Sequence, residues 1–110
     1  MKSAMIENKM PPIHAGEILQ EEFLAPLKLS ANKLAAALGV PTNRITAIIK
    51  GQRGITGDTA LRLAEYFSTT PQFWMNLQST YELRLAETTL APEVRENIRA
   101  GARVLETAGA

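Results

Sequence analysis

Apolar residues recur along most of this chain at intervals of three and four, which is the spacing of amphipathic helices. No segment alternates between apolar and polar residues as a half-buried strand does. Capping residues, glycines and prolines divide the apolar pattern into six predicted helices. These are 14–24, ended by Pro26; 30–39, capped by Ser30 and closed by Gly39; 41–51, with Pro41 at its first position and Gly51 closing it; 56–67, capped by Thr56; 70–81, with Thr70 and Pro71 at its start; and 92–105, started by Pro92. The predicted fold class is all-α.

The second and third predicted helices, 30–39 and 41–51, are short and are joined by the sequence Leu-Gly-Val-Pro at 38–41. Gly39 suits a left-handed turn, and the small Ala35 lets the two helices approach closely. A helix-turn-helix needs both features, because its second helix must be held rigidly against the major groove of DNA. An ordinary helical hairpin shares them, so these features alone leave both interpretations open.

The outward face of the third predicted helix favours DNA binding over an ordinary hairpin. Its inward stripe takes Ile45, Ile48 and Ile49, and the remaining positions are Thr42, Asn43, Arg44, Thr46, Ala47 and Lys50. Asparagine can bind adenine and arginine can bind guanine through paired hydrogen bonds, while threonine or alanine can contact a thymine methyl group. We expect Lys33, Lys50 and Arg53 to bind phosphates on either side. No acidic residue lies between Asn32 and Gly57, so we expect phosphates to meet no repulsion there.

Positive charge is concentrated in the middle third of the chain, although the net charge is only +1. Residues 28–62 contain six lysines and arginines against one acid, a balance of +5, whereas residues 1–27 and 63–110 each balance to −2. A local positive patch matters more to a phosphate than the total charge does. A run of charge is also typical of a solvated helix face, so its placement supports DNA binding without requiring it.

The composition argues against several other classes of protein. With no cysteine in 110 residues, the chain has no disulfide, zinc–thiolate site or thiol nucleophile. Its apolar runs are too short to cross a membrane and residues 1–10 do not resemble a secretory signal, so we expect a cytoplasmic protein. His14 is the sole histidine and is expected to cap a helix or to lie on the surface. We find no catalytic or metal-binding set of residues and predict neither enzymatic activity nor a cofactor.

Four segments of the sequence together resemble one known family. They are Met-Pro-Pro-Ile-His-Ala-Gly-Glu-Ile-Leu at 10–19, Leu-Ala-Ala-Ala-Leu-Gly-Val at 34–40, Lys-Gly-Gln-Arg-Gly-Ile-Thr at 50–56 and Thr-Pro-Gln-Phe-Trp-Met-Asn-Leu-Gln at 70–78. In this order they resemble the HigA antitoxins, also called VapI, of the Xre/phage-repressor group. The resemblance covers roughly residues 10–85. The family usually has proline where this chain has Ala15 and Gly57; both positions are at helix starts, so these departures concern local rigidity.

The resemblance implies a fold and two functions. The implied fold is a lambda-repressor-like helix-turn-helix bundle of about five helices plus a C-terminal helix. We accordingly divide the chain into a flexible arm at 1–12, a DNA-binding domain at 13–88 and a C-terminal helix or tail at 89–110. The implied functions are repression of its own operon and neutralisation of a HigB-type, RelE-like mRNA interferase toxin. The alternatives are a stand-alone Xre-type regulator without a toxin and an interaction protein with a vestigial DNA face.

Two further surfaces are predicted from apolar and acidic residues. The fifth helix carries Phe73, Trp74, Leu77 and Tyr81 on one face, which we assign to the core or to a homodimer interface. A dimer is expected because a single helix-turn-helix reads too few base pairs for specific affinity. On the first helix, Glu17, Glu21 and Glu22 offer an acidic surface to a basic toxin. The role of the C-terminal helix stays open between dimerisation, toxin binding and fraying.

Overall fold

The computed structural model describes residues 11–109, and all regular structure in that range is helical. Six helices follow one another along the chain. They are α1, in three consecutive segments Ala15–Ile18, Leu19–Leu24 and Ala25–Leu27; α2, Ala31–Leu38; α3, Thr42–Ile49; α4, Gly57–Phe67; α5, Pro71–Thr89; and α6, Pro92–Gly109. The predicted all-α fold class is confirmed. Of the predicted arm at 1–12, only the last two residues are within the described range.

Helix α1 continues through Pro26, so the prediction that this proline ends the helix is wrong. The middle segment, Leu19–Leu24, is π-helical, and the N–H of Ala25 donates to the oxygen of Gln20, five residues back. Proline has no N–H and its ring crowds the carbonyl four residues earlier, which disrupts ordinary α-helical bonding. In a π-helical turn each N–H donates to the carbonyl five residues back instead of four. This turn directly precedes Pro26, and the chain remains helical through the proline. The helix ends at Lys28, in a left-handed conformation with φ 52°.

The predicted caps Ser30 and Thr56 are confirmed, and Thr70, predicted to start its helix, is an N-cap as well. The side chains of Ser30, Thr56 and Thr70 each accept a hydrogen bond from the backbone N–H three residues later. Between α2 and α3, Gly39 has the predicted left-handed conformation, with φ 74°. Pro41 is the N-cap of α3 rather than its first helical residue. Because each cap satisfies N–H groups that the helix leaves free, the starts of α2, α4 and α5 are determined locally.

The hydrophobic core lies where α1 to α5 face one another. Helices α2 and α3 pack as the predicted pair, α4 packs on α2, and α5 packs along α4. The largest fully buried side chains are those of Trp74, Leu19, Leu24, Leu34, Ile45, Ile48 and Leu63. Burial of such large apolar side chains is the main favourable term in folding, so these residues fix how the helices pack.

Helices α1 and α3 are in backbone contact at Gly16. A Cβ atom at this position would overlap the carbonyl oxygen of Ile48. The neighbouring Ala15 is also buried. Since α1 also packs on α5, the close approach at Gly16 ties the last turn of α3 to the rest of the domain.

The loop between α3 and α4 is anchored by a buried glutamine of α5. Gln78 Oε1 accepts a hydrogen bond from the N–H of Ile55 at 2.7 Å, and Gln78 Nε2 donates to Glu82 Oε2 at 2.7 Å. A Cβ atom on Gly54 would lie 2.6 Å from Gln78 Nε2, so the glycine makes room for this side chain. The path of the chain after α3 is therefore set by a residue more than twenty positions away.

Helix α6 lies outside the core. The side chains described in it, residues 92–106, are all exposed except that of Ala100, which is half-buried. Even its apolar residues Val94, Ile98 and Leu105 are 43%, 61% and 74% exposed. The apolar stripe of the predicted C-terminal helix is therefore present and stays largely in solvent within this chain.

We expect Gly16→Ala to destabilise the domain, because its Cβ overlaps the Ile48 carbonyl and forces α1 away from α3. Overpacking of this kind costs about 1–3 kcal/mol, which urea unfolding measures as a lower free energy of unfolding. Gly57→Ala is the matched control, since a Cβ there meets no atom within 4 Å, and its stability should stay close to that of the wild type. Equal stability of the two variants would contradict the contact between α1 and α3.

Candidate nucleic-acid interface

Helix α3 buries one face and exposes the other. Ile45 and Ile48 are buried in the core. The geometry of the helix then places the remaining side chains together on the side away from the core. Of these, Thr42, Asn43 and Lys50 are exposed, and Thr46 and Ala47 are half-buried. The structure thus brings five of the eight predicted DNA-binding residues onto one largely polar surface, whose side chains suit the major groove.

The start of α2 lies beside this surface. Thr42 Oγ1 donates a hydrogen bond to Asn32 Oδ1 at 2.6 Å, which joins the first turns of α2 and α3. Lys33, the next residue of α2, is exposed and its backbone N–H is capped by Ser30. Asn32 is absent from the predicted site because its partner is ten residues away in sequence and only the turn at Gly39 brings the two together.

Arg44 lies at the edge of the exposed face and is paired with an acidic residue of α4. Arg44 Nη1 donates to Asp58 Oδ2 at 2.7 Å, and Arg62 Nε donates to the same oxygen at 2.9 Å. The hydrogen bonds from Arg62 and then from Arg44 hold the pKa of Asp58 below its usual value. Arg62 Nη1 also donates to the carbonyl oxygen of Leu38, the last residue of α2, at 2.7 Å.

The expectation that phosphates meet no acid near α3 needs correction. Asp58 follows the acid-free stretch of the sequence, but the packing of α4 brings its carboxylate to within 2.7 Å of Arg44. Sequence spacing does not reveal this contact, since it depends on how α4 folds back across the helical pair. Two arginines share the one carboxylate, so the local charge stays positive.

Lys50 and Arg53 are exposed beyond the end of α3. Lys50 shares a shallow depression with Glu17 and Glu21 of α1. All three acids predicted to bind a toxin, including Glu22, are exposed. Two of them therefore border the candidate DNA surface instead of lying far from it.

His14 caps the start of α1, which is one of its two predicted roles. Its Nδ1 accepts a hydrogen bond from the N–H of Gly16 at 2.9 Å, and its ring meets that of Tyr81 edge to face, with 4.7 Å between centroids. Partial burial lowers the pKa of His14, and the charge of Glu17 opposes this to a smaller degree. The cap therefore uses an imidazole that is unprotonated at Nδ1.

The four residues predicted for the dimer interface separate into two groups. Trp74 is fully buried and its Nε1 donates to Thr69 Oγ1 at 2.8 Å. Trp74 therefore belongs to the core, one of its two predicted roles, and not to an interface, because the single chain already encloses it. Phe73 is 37% exposed, and Leu77 and Tyr81 are half-buried. These three line an apolar groove of about 410 Å³ between α5 and the start of α1.

Within residues 11–109, no group of three histidine, cysteine or carboxylate side chains is placed to hold a metal ion. No helix in the same range is both long and apolar enough to cross a membrane.

Sequence comparison finds a family and a relative that are similar to this chain. The Helix-turn-helix family matches residues 20–74, which include the whole of α2, α3 and α4. Virulence-associated protein I of Dichelobacter nodosus is 56% identical over 81 residues, which make up 74% of this chain and 75% of that protein.

Two solved structures are similar in both sequence and fold. An addiction module antidote protein of the HigA family from Coxiella burnetii is 53% identical with a TM-score of 0.67, over 76% of this chain and 99% of the other. The Pseudomonas aeruginosa antitoxin HigA, solved with the higBA promoter, is 46% identical with a TM-score of 0.67, over 74% of this chain and 97% of the other. Each of the two structures leaves about a quarter of this chain without a counterpart.

We expect the stability of the domain to fall as the pH decreases through the pKa of His14. A folded-state pKa below the ordinary value of 6.5 means that the unfolded chain binds the proton more readily. The contribution of His14 is therefore fully present above its unfolded pKa and is lost as the pH falls through its folded pKa. Urea unfolding at about pH 7.5 and about pH 5 measures this loss.

The variant His14→Asn is the control, because asparagine keeps a capping oxygen without titrating in this range. It should lose less stability than the wild type over the same interval. An equal loss in both proteins would show that His14 does not cause the pH dependence.

Proposed function

Because this chain belongs to the Xre-type helix-turn-helix family, whose members include HigA antitoxins, we propose that it is the antitoxin of a type II toxin–antitoxin system. In this role it binds operator DNA as the repressor of its own operon and neutralises a RelE-like mRNA interferase toxin. The family consists of regulators and antitoxins rather than enzymes, in agreement with the prediction that this chain is not an enzyme. Operator, toxin and transcript meet in the cytoplasm, where we place the protein.

The exposed face of α3 is the observation that carries the DNA-binding half of the proposal. Its side chains include an asparagine, an arginine at the edge and a threonine, which are among those that read base edges. We assign Thr42, Asn43, Arg44, Thr46 and Ala47 to bases, and Lys33, Lys50 and Arg53 to phosphates. The Pseudomonas aeruginosa relative, which is 46% identical to this chain, was solved with the higBA promoter, and this supports DNA binding in general rather than the role of any single residue.

The apolar groove on α5 supports a homodimer. Phe73, Leu77 and Tyr81 expose apolar surface there although the rest of α5's inner face is buried. In a dimer joined through this face, the two α3 helices would contact half-sites separated by one helical turn of DNA, roughly 34 Å, or by a multiple of that distance. Paired half-sites supply the affinity that one copy of α3 lacks.

The acidic surface of α1 supports the toxin-binding half of the proposal. A nuclease that grips RNA needs a basic active surface, and an acidic partner surface improves both encounter rate and orientation. Glu17, Glu21 and Glu22 are exposed on α1 and are free of the ion pairs seen on α6. Lys50 lies beside Glu17 and Glu21. Replacing these acids by lysine would therefore also change the electrostatic potential at the candidate DNA surface, whereas replacing them by glutamine changes it less.

We expect Arg44→Ala and Lys50→Ala to weaken DNA binding in different ways. Loss of a base contact by Arg44 should cost about 1–3 kcal/mol on the operator and relax sequence preference. Loss of a phosphate contact by Lys50 should weaken operator and random DNA alike and should flatten the dependence of affinity on salt. Gel-shift titrations with DNA from upstream of its own gene and with random DNA, at two salt concentrations, measure both effects. Wild-type binding by both variants would show that α3 is not the recognition helix.

We expect the triple change Glu17→Gln, Glu21→Gln and Glu22→Gln to reduce protection against the toxin encoded beside this gene. The reason is that the amides keep the size of the side chains while removing the charges that attract a basic surface. Growth of cells that co-express the toxin, and the association rate of the purified pair, measure the effect.

The matched control removes three charges from α6 with Glu93→Gln, Glu96→Gln and Glu106→Gln. If the α6 variant loses protection and the α1 variant keeps it, the toxin binds α6 and not α1. Operator binding without protection by the wild type would contradict the antitoxin proposal and leave a stand-alone regulator.

A further inference from the structure

A continuous set of polar contacts connects the DNA-facing helix to two other helices. Arg44 of α3 contacts Asp58 at 2.7 Å, Asp58 contacts Arg62 at 2.9 Å, and Arg62 contacts the carbonyl oxygen of Leu38 at 2.7 Å. Asp58 and Arg62 are one turn apart on α4, at i and i+4. Leu38 closes α2, so the set touches both helices of the helix-turn-helix and the helix that follows it.

Arg44 has limited freedom in this arrangement. Its side chain is only 25% exposed, against 55% for that of Asp58. A free arginine side chain populates many rotamers, and holding it in one of them before DNA arrives reduces the entropy lost on binding. Asp58 accepts from a single nitrogen of Arg44, and a guanidinium carries several other N–H donors. The contact therefore orients Arg44 without consuming its capacity to bind a base edge.

The carboxylate of Asp58 is itself fixed by Arg62. Arg62 uses Nε for the carboxylate and Nη1 for the Leu38 carbonyl, which spans the gap from α4 to the end of α2. The same pairing lowers the pKa of Asp58, so the carboxylate keeps its charge at neutral pH. A lone carboxylate near DNA would repel phosphates, whereas one shared between two arginines leaves a net positive cluster.

We propose that Asp58, held by Arg62, is a positioning residue that sets the sequence specificity of Arg44. It does so by orienting the guanidinium towards the base edges, at the expense of some general attraction for phosphate. The inference rests on the proposed operator binding and names the residue that governs its selectivity. It predicts that loss of Asp58 lowers affinity for the operator without lowering affinity for random DNA, which a purely structural role does not predict.

The test compares Asp58→Asn with Glu65→Gln, which removes the same charge from an exposed position on the same helix. Overlapping duplexes that tile the DNA upstream of its own gene are titrated first, and the one bound most tightly is the operator probe. A random duplex of equal length is the second probe. Urea unfolding of each variant confirms that the domain is folded under the assay conditions.

For Asp58→Asn we expect the ratio of operator affinity to random affinity to fall at least about fivefold, the lower end of the range for loss of a guanine contact. Affinity for random DNA should stay equal or rise, because a negative charge has left the surface. Glu65→Gln should keep the wild-type ratio. In an Arg44→Ala background, Asp58→Asn should have no further effect on the ratio, since the residue that it positions is gone.

Three results would overturn the inference. An unchanged ratio in Asp58→Asn would do so while leaving operator binding intact. An equal loss of affinity for both duplexes would reduce Asp58 to a structural role. Failure of the wild type to prefer any upstream duplex over random DNA would overturn both this inference and the proposed operator binding.

Discussion

At Gly16 the backbone of α1 rests on the last turn of α3, with no side chain between them. This contact fixes how closely α1 approaches α3 and thereby closes one side of α3 to solvent. With α1 pressed against its end and with Ile45 and Ile48 buried, α3 has only one face left for solvent. That face carries the polar residues, so the candidate DNA surface is fixed by what α3 buries as much as by what it exposes.

A second set of constraints acts through polar groups rather than close packing. Gln78 anchors the loop after α3 to α5, and the pairing of Arg62 with Asp58 links α4 to both α2 and α3. Surface ion pairs add little to stability, and the pairs of Asp58 are half-exposed. The pairs of Asp58 matter for orientation, since they hold the side chain of Arg44 at the edge of the candidate DNA surface.

The domain formed by α1 to α5 and helix α6 differ in how completely they bury their apolar residues. The helix-turn-helix domain encloses Trp74, which the apolar pattern alone leaves between core and interface. By contrast, Val94, Ile98 and Leu105 of α6 stay largely exposed, and each of the two solved structures leaves about a quarter of the chain without a counterpart. The core is therefore formed by α1 to α5, and α6 is attached to this domain without joining its core.

By itself, the sequence determined most features that depend on neighbouring residues, although it misplaced the helix boundaries at Pro26 and Pro41. Helix type follows from the spacing of apolar residues, the caps at Ser30, Thr56 and Thr70 act within three residues, and Gly39 makes its own turn. The polar face of α3 follows in the same way, because eight consecutive residues of a helix have a fixed geometry. Only the tertiary structure decided the rest. The contact of Asp58 with Arg44, the burial of Trp74 and the closeness of Glu17 to Lys50 join groups from different helices. Their distances depend on how the helices pack against one another, and spacing along the chain carries no measure of that.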